Sequence, residues 1–397
     1  MMSRRGFTRR TFLSAAALTG LSATVLSKGT ASATPATLNV ALANNTGNNT
    51  VYCYVTGMDP HNGNAWMFLQ ADGHTPYYPP SPSQPGTPLG ADCSIALNAS
   101  GSGPRTITLP KIVGGRVWFS IGAPLTFLVN PGPGIAMPSV TNPSDPNYDI
   151  DWGFCELTFD DSQLYGNITF VDFVSLPIAC SLDTPQGTQI VRGLQPGGVD
   201  QMIAAMNSLG GDWPRLVSAG GRRVLSPNQA ISVDGGLFAG YLDSYISQCW
   251  QHYASNDLTI DTQFTWGTVT GRVSGGVLQF PGVGSFTQPS TPAVFSCSQP
   301  PFTTNNDEMG NLSARLAAAL NRTTLLSNPV QPTNENPGAF YQNAQTNHYA
   351  RMVHQLTPDG LGYGFPYDDV HPSGVDFEGR VQSSEPGTLT ISVGALH

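Results

Sequence analysis

Glu156 and Asp172 both lie in "WGFCELTFDDSQLYGNITFVDFVSLPI" (152–178), which alternation divides into two consecutive strands. Two carboxyl groups facing one groove from adjacent strands can hydrolyse a glycosidic bond: one protonates the leaving oxygen while the other activates water or attacks the anomeric carbon. In "FCELTFD", a period of two puts Glu156, Thr158 and Asp160 on one face and Cys155, Leu157 and Phe159 on the other, core-facing side. In "NITFVDF" the same rule groups Asn167, Thr169 and Val171, and sets Asp172 with Ile168 and Phe170 on the face that should be buried. An unpaired buried carboxylate is costly, so either a β-bulge near Val171 re-aims Asp172 onto the polar face or the acid is buried with a raised pKa. The plainer alternative is that both are ordinary surface or strand-end acids.

Other chemistries find less support. The seven histidines form no H-E-x-x-H, and His348 and His354 do not share a helix face, so the sequence asks for no metal and no cofactor. No G-x-S-x-G elbow or Walker loop occurs. Trp66, Trp118, Trp152, Trp213, Trp250, Trp266 and the pair Tyr77 and Tyr78 could stack on sugar rings, although singly each reads as packing. Asp307 and Glu308 read as the charged start of a helix, with Asn306 as its cap.

The elements that must position the two acids are strands. From Leu38 to Ile178 short apolar or alternating runs are broken by Gly, Pro and Asn, which predicts a many-stranded antiparallel barrel or sandwich. After Leu182, "PGGVDQMIAAMNSLG", "GGLFAGYLDSYISQCWQHYAS", "NNDEMGNLSARLAAALNR" and "NPGAFYQNAQTNHYARMVHQL" carry apolar residues at helical spacing, with Pro337 suited to the first turn of the last helix. Strand-like alternation returns in "LTIDTQFTWGTVTGRVSGGVLQF" and again in the tail. The expected organisation is a β domain of residues 34–182 with 356–397, and an inserted mixed α/β domain of residues 183–355.

The N-terminus reads as a leader. "TRRTFLSAAALTGLSATVLSKGTASA" has Arg9 and Arg10, an apolar run and an A-x-A site at Ala31 and Ala33, which predicts twin-arginine export and cleavage after residue 33. The 397-residue chain carries 17 Lys and Arg against 26 Asp and Glu; removal of Arg4, Arg5, Arg9, Arg10 and Lys28 would leave 12 basic residues and a net charge of −14. So acidic a chain offers no basic patch for nucleic acid or an anionic membrane, and the expected form is a secreted monomer. Six cysteines suit an oxidising destination, but twin-arginine cargo folds before export, so one to three disulfides and buried free thiols stand level.

"CELTF" followed by "QLYGNITFVDFVSLPI", together with the late "GYGFPYDD", resembles the thaumatin-like pattern. Within that superfamily the block "WGFCELTFDDSQLYGNITFVDFVSLPI", the leader and the helical insertion are similar to bacterial glycoside hydrolase family sixty-four. The resemblance implies a thaumatin-like barrel and a mixed α/β domain flanking a wide groove, and an inverting β-1,3-glucanase that releases laminaripentaose. Glu156 would then be the general acid and Asp172 the general base, with sugar contacts at Thr158, Asp160, Tyr165, Asn167 and Thr169 and further acids at Asp368 and Asp369. The partner implied is β-1,3-glucan. The competing expectation is a non-catalytic thaumatin-like module that binds β-glucan.

Overall fold

The computed structural model describes residues 34–397; the twin-arginine segment and the expected cleavage point lie outside the described residues. The described chain forms two compact units, one of residues 34–239, 347–369 and 376–397, the other of residues 240–346 and 370–375.

The first unit is built on two sheets. The larger runs in the order Arg380–Ser383, Leu164–Ile168, Asp151–Phe159, Ile112–Ile121, Val51–Asp59, Ala65–Leu69 and Pro76–Tyr77, with Ile95–Ala96 also paired to Val51–Asp59. The smaller runs Gly187–Val191, Ile178–Thr184, Leu389–Gly394, Leu38–Asn45 and Arg105–Leu109. Strand Ile178–Thr184 of the smaller sheet lies against Asp151–Phe159, Leu164–Ile168 and Arg380–Ser383 of the larger. The unit is mainly β, as alternation predicts, but the strands do not close a barrel: each sheet keeps two open edges. Nor is the pairing wholly antiparallel, since Leu389–Gly394 runs parallel to Leu38–Asn45. A strand returning from the far end of the chain is free of the hairpin constraint that forces antiparallel pairing on neighbours.

Helices join both units. In the first, Gly198–Leu209 packs on His348–Leu356 and buries Val199, Met202, Met206, Val353 and Leu356. Helical spacing after Leu182 therefore marks helices without marking which core they enter, and the chain changes unit at 239/240 and 346/347 rather than at 182/183 and 355/356. The second unit holds the sheet Gly284–Phe286, Val277–Phe280, Thr268–Ser274, Leu258–Asp261 and Val330–Gln331 with helices Asp243–His252, Thr291–Ser296 and Glu308–Arg322. Helix Glu308–Arg322 is capped by Asp307, whose carboxylate accepts from Gly310 N, and not by Asn306. Pro337 starts a short 3-10 turn, while the last helix begins at His348 under an Asn347 cap. None of the six cysteines forms a disulfide; all are buried, and burial pushes the Cys93, Cys180 and Cys249 thiols up to about 12. No helix of the described residues is long and apolar enough to cross a membrane.

Just past strand Gly187–Val191, Gly193 runs close to the backbone of Ile178 at the start of the neighbouring strand. Its φ is +65°, and a Cβ there would sit 1.9 Å from the Ile178 carbonyl oxygen. Gly193→Ala is expected to destabilise the first unit by about 2 kcal/mol or more through combined left-handed strain and clash. Urea denaturation checks this, and an unchanged midpoint would show that the backbone at Gly193 can shift away from Ile178 at no cost.

Candidate active site

Strand Asp151–Phe159 keeps the period of two: Cys155, Leu157 and Phe159 are buried, while Glu156 and Thr158 are half-buried. Its register sets Arg116 opposite Glu156 on one side and Asn167 on the other, with Thr56 and Arg380 one strand further out. Directly opposed residues of antiparallel strands share a face. A polar row Thr56, Arg116, Glu156, Asn167 and Arg380 therefore crosses five strands. One step along, the same face turns aromatic, with Phe154 and Tyr54 both opposite Trp118. Arg116 sits at the boundary: its guanidinium carbon lies 4.5 Å from the centre of the Phe154 ring and its Nε donates to Glu156 Oε1 at 3.2 Å. A cation held on an aromatic floor in this way fixes where the Glu156 carboxylate points.

Asp172 escapes the burial that strict alternation assigns to it because the strand stops at Ile168. Thr169 makes a single bridge to Tyr363, Phe170 N donates to Tyr363 O at 2.8 Å, and the Tyr349 hydroxyl donates to Phe170 O at 2.6 Å. The chain then bends at Val171 and Asp172, and Phe173 packs edge-on against Trp152 and Phe154 with ring centres 5.0 and 5.9 Å apart. Trp152 and Phe154 share the parity of Glu156, so this contact seats the Phe173 ring on that side of the sheet. Ile168 and Phe170 are buried; Asp172 is half-buried and lines one pocket with both of them and with Phe154, Thr169 and Ser175. Gln229, on helix Pro227–Val233, donates from Nε2 to Asp172 Oδ1 at 2.8 Å, and Ser226, the cap of that helix, donates its N–H to Asp172 O at 2.9 Å.

The remaining expected residues separate. Thr158 follows a register shift between Leu157 and Phe159, and its hydroxyl accepts from Gly114 N at 3.3 Å. Asp160 holds the hairpin turn, its Oδ1 accepting from the Ser162 and Gln163 amides at 2.8 and 3.0 Å. Burial raises the Asp160 pKa, but the Ser162 and Gln163 hydrogen bonds and Lys111 outweigh it and leave the carboxyl below its ordinary value. Asn167 is buried beside Glu156 with no hydrogen-bond partner for its Nδ2 among the described residues. Thr169 is buried at the bridge to Tyr363. Of the two late acids, Asp368 is fully buried and lies 2.8 Å from His354 Nε2 while accepting from Gly364 N at 2.9 Å, an arrangement that pins the local loop. Asp369 instead belongs to the group around Tyr165, whose pKa is raised by burial and then by Glu378 and Asp369.

Sequence reasoning missed Arg116, Gln229, Glu378 and Arg380. Glu378 is fully buried, accepts from Arg380 Nη1 at 3.0 Å, and has its pKa pushed from 4.5 to about 9 by burial and then by Asp376 and Asp369, against the pull of Arg380. The one signal in the sequence was its place in an alternating run, next to Phe377 and two positions before Arg380. A carboxyl whose folded pKa lies above its unfolded one stabilises the fold fully below about 4.5 and loses that contribution as pH rises through about 9. Unfolding free energy of the wild type should therefore fall across that window relative to Glu378→Gln. Parallel pH–stability curves for the two proteins would show that Glu378 is ionised in the fold.

The family model described as Beta-1,3-glucanase, glycoside hydrolase family sixty-four, matches residues 36–393. Two curated relatives, the glucan endo-1,3-beta-glucosidases of Arthrobacter sp. (strain YCWD3) and Cellulosimicrobium cellulans, are each 35% identical over 92% of this chain and 68% of their own length. Among solved structures, a laminaripentaose-producing beta-1,3-glucanase in complex with laminaritetraose is 34% identical with a TM-score of 0.81, over 91% of this chain and 100% of that one.

Proposed function

The chain belongs to the β-1,3-glucanases of glycoside hydrolase family sixty-four and is a glucan endo-1,3-β-glucosidase, and from that premise we propose that it cleaves with inversion through Glu156 and Asp172. The observation that supports the proposal is the seating of Phe173, next to Asp172, on Trp152 and Phe154, whose parity is that of Glu156. Family membership sets aside the reading as a non-catalytic module.

In the proposed reaction Glu156 protonates the glycosidic oxygen as the bond to the anomeric carbon breaks. Asp172 takes a proton from a water that attacks the opposite face of the ring. Room for that water requires the two carboxyl groups to stand roughly 6.5 to 9.5 Å apart. Each acid has a neighbour that orients it: Arg116 for Glu156 and Gln229 for Asp172. Asn167 Nδ2, buried in the same row, would donate to a sugar hydroxyl, and Thr158, Tyr165, Thr169 and Asp369 would line the ring next to it. Asp160 and Asp368 would contribute through the turn and loop they hold. The substrates proposed are curdlan, laminarin and fungal cell-wall glucan, and the product laminaripentaose, which the solved relative is named for. A thaumatin-like origin of the β unit, export by the twin-arginine route and a monomeric state complete the proposal.

Glu156→Gln should cut turnover on laminarin by about 10²- to 10⁴-fold while leaving curdlan binding and the melting temperature in place. Product chromatography of wild type beside this variant is the test: near wild-type release of pentaose would remove Glu156 from the role of acid.

Replacement of Gln229 by Leu removes the donor to Asp172 without touching the sugar row. The expected result is a fall in kcat of roughly ten- to a hundredfold with KM nearly unchanged. A change in KM alone would place Gln229 at a binding position and not behind the base.

A further inference from the structure

The second unit, which carries neither Glu156 nor Asp172, presents two large aromatic side chains to solvent side by side. Phe264 is 43% and Trp266 36% exposed, and their ring centres are 4.7 Å apart. Both stand on the turn between strands Leu258–Asp261 and Thr268–Ser274. The backbone of that turn is braced by hydrogen bonds. Thr262 N and Oγ1 donate to Gly267 O at 2.9 and 2.6 Å, Gly267 N donates to Phe264 O at 3.0 Å, and Gln263 N donates to Asp261 Oδ1 at 2.9 Å. From helix Glu308–Arg322, Arg315 donates to Asp261 O at 2.8 Å and to Gln263 Oε1 at 3.0 Å, while Gln263 Nε2 donates to His371 O at 3.0 Å.

The size and setting of this island identify its occupant. Two rings at these exposures offer on the order of 200 Å² of apolar surface, against roughly 800 Å² per partner for a stable protein interface. Around them Gln263, Thr265, Thr268 and Thr270 are exposed and polar. An aromatic pair ringed by hydroxyl and amide groups matches a pyranose, which has an apolar C–H face and a rim of hydroxyls. We propose that Phe264 and Trp266 form a second sugar-binding site, a stacking platform for consecutive glucose rings of a β-1,3-glucan chain. The ligand identity rests on the activity above; the platform itself does not depend on Glu156 or Asp172. Because the turn is held in place before the sugar arrives, little ordering entropy is lost on binding.

The test measures binding in the inactive Glu156→Gln background, so that turnover cannot obscure it, and hydrolysis in the active background. Phe264→Ala with Trp266→Ala should weaken laminarin binding in affinity electrophoresis, and curdlan sedimentation, by roughly tenfold. The Trp266→Phe variant, which keeps a ring, should retain most of the binding, and Trp266 fluorescence should shift on addition of laminarin. Unchanged glucan binding by the double alanine variant would overturn the proposal. So would a variant whose only change is its self-association by size-exclusion chromatography. Loss of glucan binding with normal hydrolysis of laminarihexaose supports the platform. Absence of hydrolysis by the wild type would instead count against the catalytic reading, leaving the binding result to stand by itself.

Discussion

The contact of Phe173 with Trp152 and Phe154 is the constraint from which the candidate site follows. A strand that continued past Ile168 with a period of two would drive a carboxylate into the space between the two sheets, at a cost no neighbour there could offset. The chain instead stops pairing, hands Thr169 and Phe170 to Tyr363, and lays Phe173 on the aromatic half of the opposite face. Burial of that ring against two others is worth more than the ladder bonds forgone, because an aromatic side chain is a large apolar surface while a lost strand bond is exchanged for another partner. Asp172, the residue before it, sits half-buried at the bend.

The same face explains how Glu156 is held. Aromatic residues at one end and a polar row at the other meet at Arg116, which stacks on Phe154 and donates to Glu156. Beyond Asn167 the row ends at Arg380, whose partner Glu378 has its pKa raised by burial and by neighbouring acids. Asp376 and Asp369 add to the burial that raises the Glu378 pKa, and Arg380, 3.0 Å from Glu378 and 3.9 Å from Asp376, offsets part of their repulsion.

Legibility from the sequence followed the regularity of the backbone. Glu156, Thr158 and their buried neighbours Cys155, Leu157 and Phe159 were placed by parity because the strand around them is regular. Asp172 was recognisable as anomalous, and a bulge or strand end near Val171 was expected to turn it toward Glu156; the strand does end at Ile168, but the contact of Phe173 with Trp152 and Phe154 left no mark in the sequence. Helices were visible by spacing, but spacing does not encode which core a helix joins, and Gly198–Leu209 and His348–Leu356 joined the β unit. Asp368 and Asp369 were indistinguishable as neighbours, yet one is sealed beneath His354 and the other faces Tyr165. Arg116 and Gln229 carried no motif, because their roles exist only through a cross-strand register and a distant helix.

The central claim is that Asp172 acts through a water on the face opposite Glu156 and not as a nucleophile. Proton NMR of the first turnovers on a laminarioligosaccharide, recorded before mutarotation, reads this directly. The account predicts that the newly formed reducing end appears first as the α-anomer; first appearance of the β-anomer would mean retention and would contradict it.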